Sequence, residues 1–296
     1  MNHLKIITQY KKGQPILENI DIYTLSVNSL SSHQPESMEI NELLIEMKRL
    51  QQASKRVYLF INRFLFEPEL TNAIEIVKIV IQAGIDGLIV NDFGWSMILQ
   101  ELSFDKEVIL QTDTTVTNSL EAASILEEGF NKVVIARELT IEEIIEMAQD
   151  LGEQIIVPIF GHQIMSTSRR LLLDAYGNEV NRVYKSNRFY HLKESTRQDP
   201  YLIYQDDTGT HIFDGTILCG YHELKTLAKS GCNYVLLDSL NIDSDMIEMV
   251  STSIKAILNG QDADTEFERL QNNYPHDVFS NALWFKKTSD KKVANE

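Results

Sequence analysis

The sequence predicts an α/β fold, a TIM-like (β/α) barrel with an inserted segment rich in β-hairpin after about the seventh strand. Three observations carry this. Short apolar runs recur about every 25 residues, and amphipathic stretches of helical period lie between them. The rhythm breaks once, in the segment VPIFGHQIMSTSRRLLLDAY that begins at Val157.

The first two strands are expected at residues 5–8 (KIIT) and 20–27 (IDIYTLSV), joined by a loop with Gly13 and Pro15 rather than by a convincing helix. From Asn41 the pattern turns helical, with Leu43, Leu44, Met47 and Leu50 on one face, and residues 57–61 (VYLFI) form the next strand. A helix follows over 67–83, with Pro68 in its first turn and Gly84 closing it; the strand GLIV ends at Asn91 and Asp92. Residues 95–102 read as a short helix, 108–110 as a strand, and 120–128 as a helix that Asn118 or Ser119 can cap. The strand VVIA runs into Arg137 and Glu138, and Thr140 with Glu143 makes a capping box for the helix beyond. The strand from residue 153 to Ile159 is expected to end at Gly161, and YVLLD at 234–238 supplies the last barrel strand.

The insertion spans about residues 165–215. Alternating runs at 183–185, 188–192, 201–205 and 210–213 predict strands, with Asp207-Thr208-Gly209 as a hairpin turn between the last two. Between Arg169 and Arg197 seven basic side chains stand against three acidic ones, interleaved with Tyr184, Phe189 and Tyr190. This is either a solvated hairpin or a surface that stacks bases and holds phosphates. Helices at 221–230 and 245–258 flank the last strand. The barrel with its insertion is thus assigned to residues 1–260, and 261–296 to a tail that starts with a polar linker at 260–265, packs back through Phe279, Trp284 and Phe285, and frays at its end.

With 43 acidic against 27 Lys and Arg residues, the formal charge is −16. On average such a surface repels a polyanion, so a nucleic acid must meet a local basic patch or a second subunit. The apolar run at the N-terminus is too short for a signal peptide, and no window lacks charge for a membrane span, which points to a cytoplasmic protein without membrane contact. Cys219 and Cys232 are the two cysteines, without the spacing or companions of a metal site, so no metal ligands are assigned.

In a barrel, the polar residues at strand ends converge on one rim, where binding sites are built. Here they are Asn62, Asn91, Asp92, Gln111, Thr112, Asp113, Arg137, Glu138, His162 and Asp238. Asp92, Glu138 and His162 are the candidates for acid/base work. Asn62, Asn91, Asp113, Arg137, Arg169, Arg170 and Asp238 are the candidates for holding a substrate. Arg137 and Glu138 form either part of that site or a structural ion pair. No HExxH, G-x-S-x-G, Walker or G-x-G-x-x-G pattern occurs.

The stretches IVNDFG from Ile89, TVTNS around Asn118, GFNKVVIARELTIEEI from Gly129 and GHQIMSTSRRLLLDAYG from Gly161 resemble peptidase family U32, over about residues 55–260. The resemblance implies a TIM-like barrel. It also implies one of two activities: the collagenase-like proteolysis for which the family is named, or the hydroxylations, among them that of a tRNA wobble uridine to 5-hydroxyuridine, with which its better understood members are associated. Those members carry an iron-sulfur cluster on four cysteines. In this chain Ile164 and Leu171 stand where the first two belong, the third has no counterpart and Cys219 matches the fourth, so a cluster is expected to be absent and no cofactor is assigned. Ser166, Ser168 and Arg170 match the family segment, which adds the two serines to the substrate-binding candidates.

The pattern resembles the shorter, cluster-free members found beside a full-length one in some Firmicutes and linked to wobble-uridine hydroxylation with prephenate. It implies an accessory subunit, a cysteine-complete paralogue as partner, tRNA contact through the basic insertion, and a small anionic metabolite such as prephenate as ligand. Two alternatives remain open: a peptidase using the strand-end carboxylates and His162, and a non-catalytic barrel that binds a small anion through Arg137, Arg169 and Arg170.

Overall fold

The computed structural model describes residues 4–34, 36–195 and 199–286. Strands β1 (Lys5–Gln9) and β2 (Ile22–Leu25) are joined by a loop, and from there helices alternate with strands: α1 (Ile40–Gln52), β3 (Arg56–Ile61), α2 (Glu67–Gln82), β4 (Gly87–Val90), α3 (Gly94–Glu101), β5 (Glu107–Leu110), α4 (Ser119–Glu127), β6 (Lys132–Val134), α5 (Ile141–Leu151) and β7 (Ile155–Ser168). The inserted segment holds α6 (Leu172–Val180), β8 (Arg188–Leu192), β9 (Tyr201–Asp206) and β10 (Gly209–Cys219). Then come α7 (Leu224–Lys229), β11 (Tyr234–Leu237), α8 (Ser244–Leu258), α9 (Ala263–Asn273) and β12 (Phe279–Ser280).

Eight parallel strands close on themselves. Strands β1 to β7 pair in sequence order, and β11 pairs with β7 on one side and β1 on the other. Closure leaves no edge strand in the barrel. Its interior is filled by Ile7, Ile22, Phe60, Ile89, Ile156 and their neighbours, and the amino end is plugged by Glu107, which accepts from Tyr58 and Lys132 and pairs with Arg56 at 3.0 Å. The helices bury the predicted stripes, such as Leu43, Met47 and Leu50 of α1. Asn118 caps α4 by accepting from Glu121 N–H, and Thr140 and Glu143 cap each other at α5.

Three local expectations are corrected. Strand β7 does not end at Gly161. It passes through that residue at φ +114° and continues to Ser168, its upper half now pairing antiparallel with β10. A glycine there bends a strand that keeps finding hydrogen-bond partners, so it punctuates without terminating. Residues 183–185 form no strand, because Asn181 takes a left-handed conformation at the end of α6 and turns the chain back on itself. The linker at 260–265 is shorter than expected, since Asp262 accepts from Thr265 N–H at 3.0 Å and starts α9 at Ala263. Trp284 is buried against Gly220, and its carbonyl accepts from Ile141 N–H at the start of α5. The expected fraying of the last ten residues lies outside the described residues.

The upper half of β7, with β8 to β10 and α6, forms a flap across the carboxyl ends of the barrel strands. Its small core of Leu202, Tyr204 and Phe213 packs on Leu240, just past β11. On the opposite side Arg169 donates to Glu69 (3.0 Å) and to Phe64 O (2.7 Å), with its guanidinium 4.1 Å from the centre of the Phe66 ring. That clamp is about a quarter exposed and contributes about 1–2 kcal/mol. Each buried apolar side chain of the flap core contributes about 1.5–3 kcal/mol, so apolar packing holds the flap and the clamp sets its orientation.

Candidate functional site at the barrel mouth

Under the flap lies a recess whose polar lining is Gln111, Asp113, Arg137, His162, Gln163 and Asp238, with Pro158, Ile164 and Leu236 among its apolar walls. The six polar residues come from four barrel strands: β5 delivers Gln111 and Asp113, β6 Arg137, β7 His162 and Gln163, β11 Asp238. Convergence at the carboxyl end is what the barrel topology imposes.

The two carboxylates are close enough to repel. Burial pushes the Asp238 carboxyl up to about 6, and the charge of Asp113 adds to the rise against Leu240 N–H and Lys11. Burial also raises Asp113, opposed by a hydrogen bond from Gln111 Nε2 (3.0 Å) and by the charge of Arg137. Asp113 adopts φ +67°, a left-handed conformation that Asp tolerates better than most residues. Arg137 has its Nε buried without a partner among the described residues, and its Nη2 donates to Glu138 at 3.2 Å. A guanidinium with spare donors facing two carboxylates suits a ligand that brings its own anionic group and hydroxyls. His162 Nδ1 lies 3.0 Å from Asp214 O, and burial lowers its pKa, so the ring is neutral near pH 7 with Nδ1–H as donor.

A second cleft adjoins the first beyond Asp238 and is lined by Gln9, Lys11, Glu36 and Ser239 among others. Burial lowers the pKa of Lys11 against the pull of Glu36, Asp243 and Asp238, and its ammonium donates to Ile242 O.

The structure separates the other predicted residues. Asp92 is exposed and accepts from Gly94 N–H at 2.7 Å, shaping the start of α3; Glu138 is exposed on the rim and engaged with Arg137. Neither lines the recess, so of the three acid/base candidates His162 alone reaches it. Asn62 is buried and grips the backbone of Ser32 through both ends of its amide, at 2.9 and 3.0 Å, while Asn91 donates to Asn62 O. Ser166 is exposed on the flap, and Ser168 accepts from Arg170 N–H. Arg169 is engaged in the clamp. Arg170 is exposed, and its side chain has no partner among the described residues.

Several residues the sequence did not single out form a buried seam between flap and barrel. Ser32 Oγ lies 2.9 Å from Thr208 Oγ1 and 3.3 Å from His211 Nε2, and Asp206 accepts from His33 N–H and Thr208. Burial would raise Asp206, but hydrogen bonds from His211 and Thr208 outweigh it and hold the carboxyl below the usual range. Burial and the neighbouring His211 lower His33 to about 3. Serine, histidine and aspartate meet here without forming a hydrolytic triad: Ser32 and Asp206 face the same nitrogen of His211, and that ring is fully buried.

The four-cysteine cluster implied by the resemblance does not fit these residues. Ile164 and Leu171 offer hydrocarbon where thiolates would stand. Cys219 is buried, its thiol pushed up to about 12, and Cys232 precedes β11 at the amino end of the barrel. Among the described residues no group of three or more His, Cys, Asp or Glu side chains is placed to hold a metal, and no helix is long and apolar enough to cross a membrane.

Asp238 makes a test by titration. With the folded carboxyl at about 6 and an ordinary value of 3.8, the folded state holds a proton that the unfolded chain has released between those values. The stability gained from that proton is complete below 3.8 and is lost as pH rises through about 6. Asp238→Asn cannot ionise, so its melting temperature relative to the parent should climb from about pH 4 to about pH 7 in thermal melts. A difference that stays flat would place Asp238 in water.

Comparison with known proteins agrees with this architecture. The chain is 27% identical over 210 residues to the tRNA hydroxylation protein P2 of Bacillus subtilis, a match covering 68% of this chain and 67% of that one. It is 27% identical over 159 residues to the tRNA hydroxylation protein P of Escherichia coli, covering 53% of this chain and 34% of that longer protein. A solved U32 peptidase structure superposes with a TM-score of 0.52 at 11% identity, covering 80% of this chain and 93% of that one, which speaks for the fold alone. The profile of Peptidase family U32 matches residues 19–293, nearly the whole chain, and the protein therefore belongs to peptidase family U32.

Proposed function

We propose that this protein is an accessory subunit in the formation of 5-hydroxyuridine at the wobble position of tRNA, acting beside a cysteine-complete paralogue that carries the iron-sulfur chemistry. The observation that carries the proposal is a pairing of two facts. The chain shares two thirds of its length with a protein named for tRNA hydroxylation, and it bears Ile164 and Leu171 where the resemblance expects cluster-ligating cysteines. A chain that keeps the barrel and lacks the thiolates retains what binding requires and relinquishes the redox step.

In this reading the recess holds a small anionic metabolite such as prephenate. Arg137 receives a carboxylate in the fork geometry its planar guanidinium favours. The carboxyls of Asp113 and Asp238 accept from hydroxyl groups, and neutral His162 fixes the wall between recess and flap. The peptidase alternative gains no support from the buried Ser32, His211 and Asp206.

Deleting the gene in a strain without a redundant route should remove most 5-hydroxyuridine and its derivatives from bulk tRNA, as read by nucleoside mass spectrometry, and a plasmid copy should restore them. Unchanged nucleoside levels would refute the assignment.

A further inference from the structure

The outer face of the flap carries a feature that the barrel mouth does not use. At the end of α6, Asn181 turns left-handed and Arg182 N–H donates to Gly177 O at 2.9 Å. A Cβ on Gly177 would lie 2.5 Å from Arg182 O and 3.2 Å from the Tyr184 ring, so the close return of the chain depends on that glycine. The return sets Tyr184 between two other rings, 5.9 Å from Tyr176 and 5.3 Å from Tyr190 between centroids. Tyr190 is locked in place, its hydroxyl accepting from Lys185 N–H at 2.7 Å, and the Arg188 guanidinium stands 5.7 Å from its ring centre.

These rings are ordered without being buried. Tyr176 is 56% exposed and Tyr184 and Tyr190 are half-buried, outside the apolar clusters that hold the barrel and the flap. Arg182, Lys185 and Arg188 are exposed beside them, and none pairs with a carboxylate among the described residues. In a chain of formal charge −16, three unpaired cations beside a rigid aromatic ladder favour a partner that is both aromatic and anionic. Stacking platforms flanked by cations bind unpaired bases, because every base has a π-face and each phosphate meets a positive charge.

We infer that the ladder of Tyr176, Tyr184 and Tyr190 binds an unpaired loop of RNA, stacking bases on its rings and holding the backbone on Lys185 and Arg188. This deepens the proposed function and rests on it for the choice of RNA. The surrounding acidic barrel confines the phosphates to the flap.

The test is fluorescence anisotropy of the full-length protein with a labelled RNA hairpin bearing a seven-nucleotide loop, against a fully paired duplex of the same length. The hairpin should bind at least about 10-fold more tightly than the duplex. Tyr176→Ala and Tyr184→Ala should each weaken hairpin binding about 5- to 150-fold, the range set by the loss of one stacked base, while Tyr176→Phe retains it. Tyr176 is exposed, so its alanine variant keeps the fold even if Tyr184→Ala does not. The double variant Lys185→Gln, Arg188→Gln should lower the slope of log affinity against log salt by about 1.4, as expected for two phosphate contacts on a single strand. Equal binding of hairpin and duplex, or Tyr176→Ala bound as tightly as the parent, overturns the inference, as does a Tyr176→Ala protein that differs from the parent in self-association and not in RNA affinity. A failed ladder leaves the gene-deletion result untouched, and a deletion without effect leaves the anisotropy result standing, so the two readings fail separately.

Discussion

On the proposed function, replacing Arg137 by methionine should weaken anion binding at the barrel mouth by at least about 30-fold. The side chain is mostly buried, its Nε has no partner among the described residues, and its one observed hydrogen bond is a 3.2 Å contact with the exposed Glu138. Its Nε is therefore a free donor, and Arg137 lines the recess together with Asp113, whose rise its charge opposes. Removing one partner of a buried, hydrogen-bonded charge pair costs about 2–5 kcal/mol, or at least about 30-fold in affinity. Thermal-shift titration with prephenate should then show saturation at least 30-fold higher in concentration than in the parent, or none. In the complemented deletion strain 5-hydroxyuridine should fall in proportion. Arg137→Lys should be intermediate, since a lysine keeps the charge and loses the planar fork. Retention of both readouts by Arg137→Met would move the ligand out of this recess.

The parts of this site visible in the sequence are those that follow a repeating rule. Asp113, Arg137, His162 and Asp238 could be named because each sits just beyond a strand that its spacing and apolar run had already marked. Asp92 and Glu138 satisfied the same rule and still fall outside the recess, for a rule about strand ends does not say which way a side chain turns. Asp92 turns back to Gly94 N–H, and Glu138 stays in water beside Arg137. Gln163 was hidden because Gly161 looked like a terminator. Lys11 was hidden because no helix follows β1 to mark its end. The seam of Ser32, His33, Asp206 and His211 had no local signal at all: its contacts join residues 173 and 179 positions apart, and only the closed barrel brings them together. Capping, by contrast, is local, and the reciprocal bonds of Thr140 and Glu143 are where the sequence put them.

Gly161→Ala should loosen the coupling of flap and barrel. At φ +114° an alanine is strained whatever its surroundings, and here its Cβ would stand 2.4 Å from Asp238 O and 2.7 Å from Asp238 Cβ. That contact lies where the barrel closes. Asp238 N–H donates to Phe160 O at 2.8 Å across the β7–β11 seam, and Leu218 of β10 pairs with Gly161 itself. Making room forces β11 away from β7 or twists β7 out of register with β10, and either movement carries Asp238 out of the recess. Backbone strain of about 1–3 kcal/mol and overpacking of about 1–3 kcal/mol together take a large share of a stability that is normally about 5–15 kcal/mol. A melting point lower by about 3–10 °C follows from a chain of this size, with loss of any ligand-induced shift. Gly13→Ala is the control: its φ is +82°, but no atom lies within 4 Å of the added Cβ, so it carries the backbone strain alone. Differential scanning calorimetry of the two variants separates the effects. If Gly161→Ala melts within about 2 °C of Gly13→Ala, corresponding to less than about 1 kcal/mol, the seam yields to a methyl group and does not fix the position of Asp238.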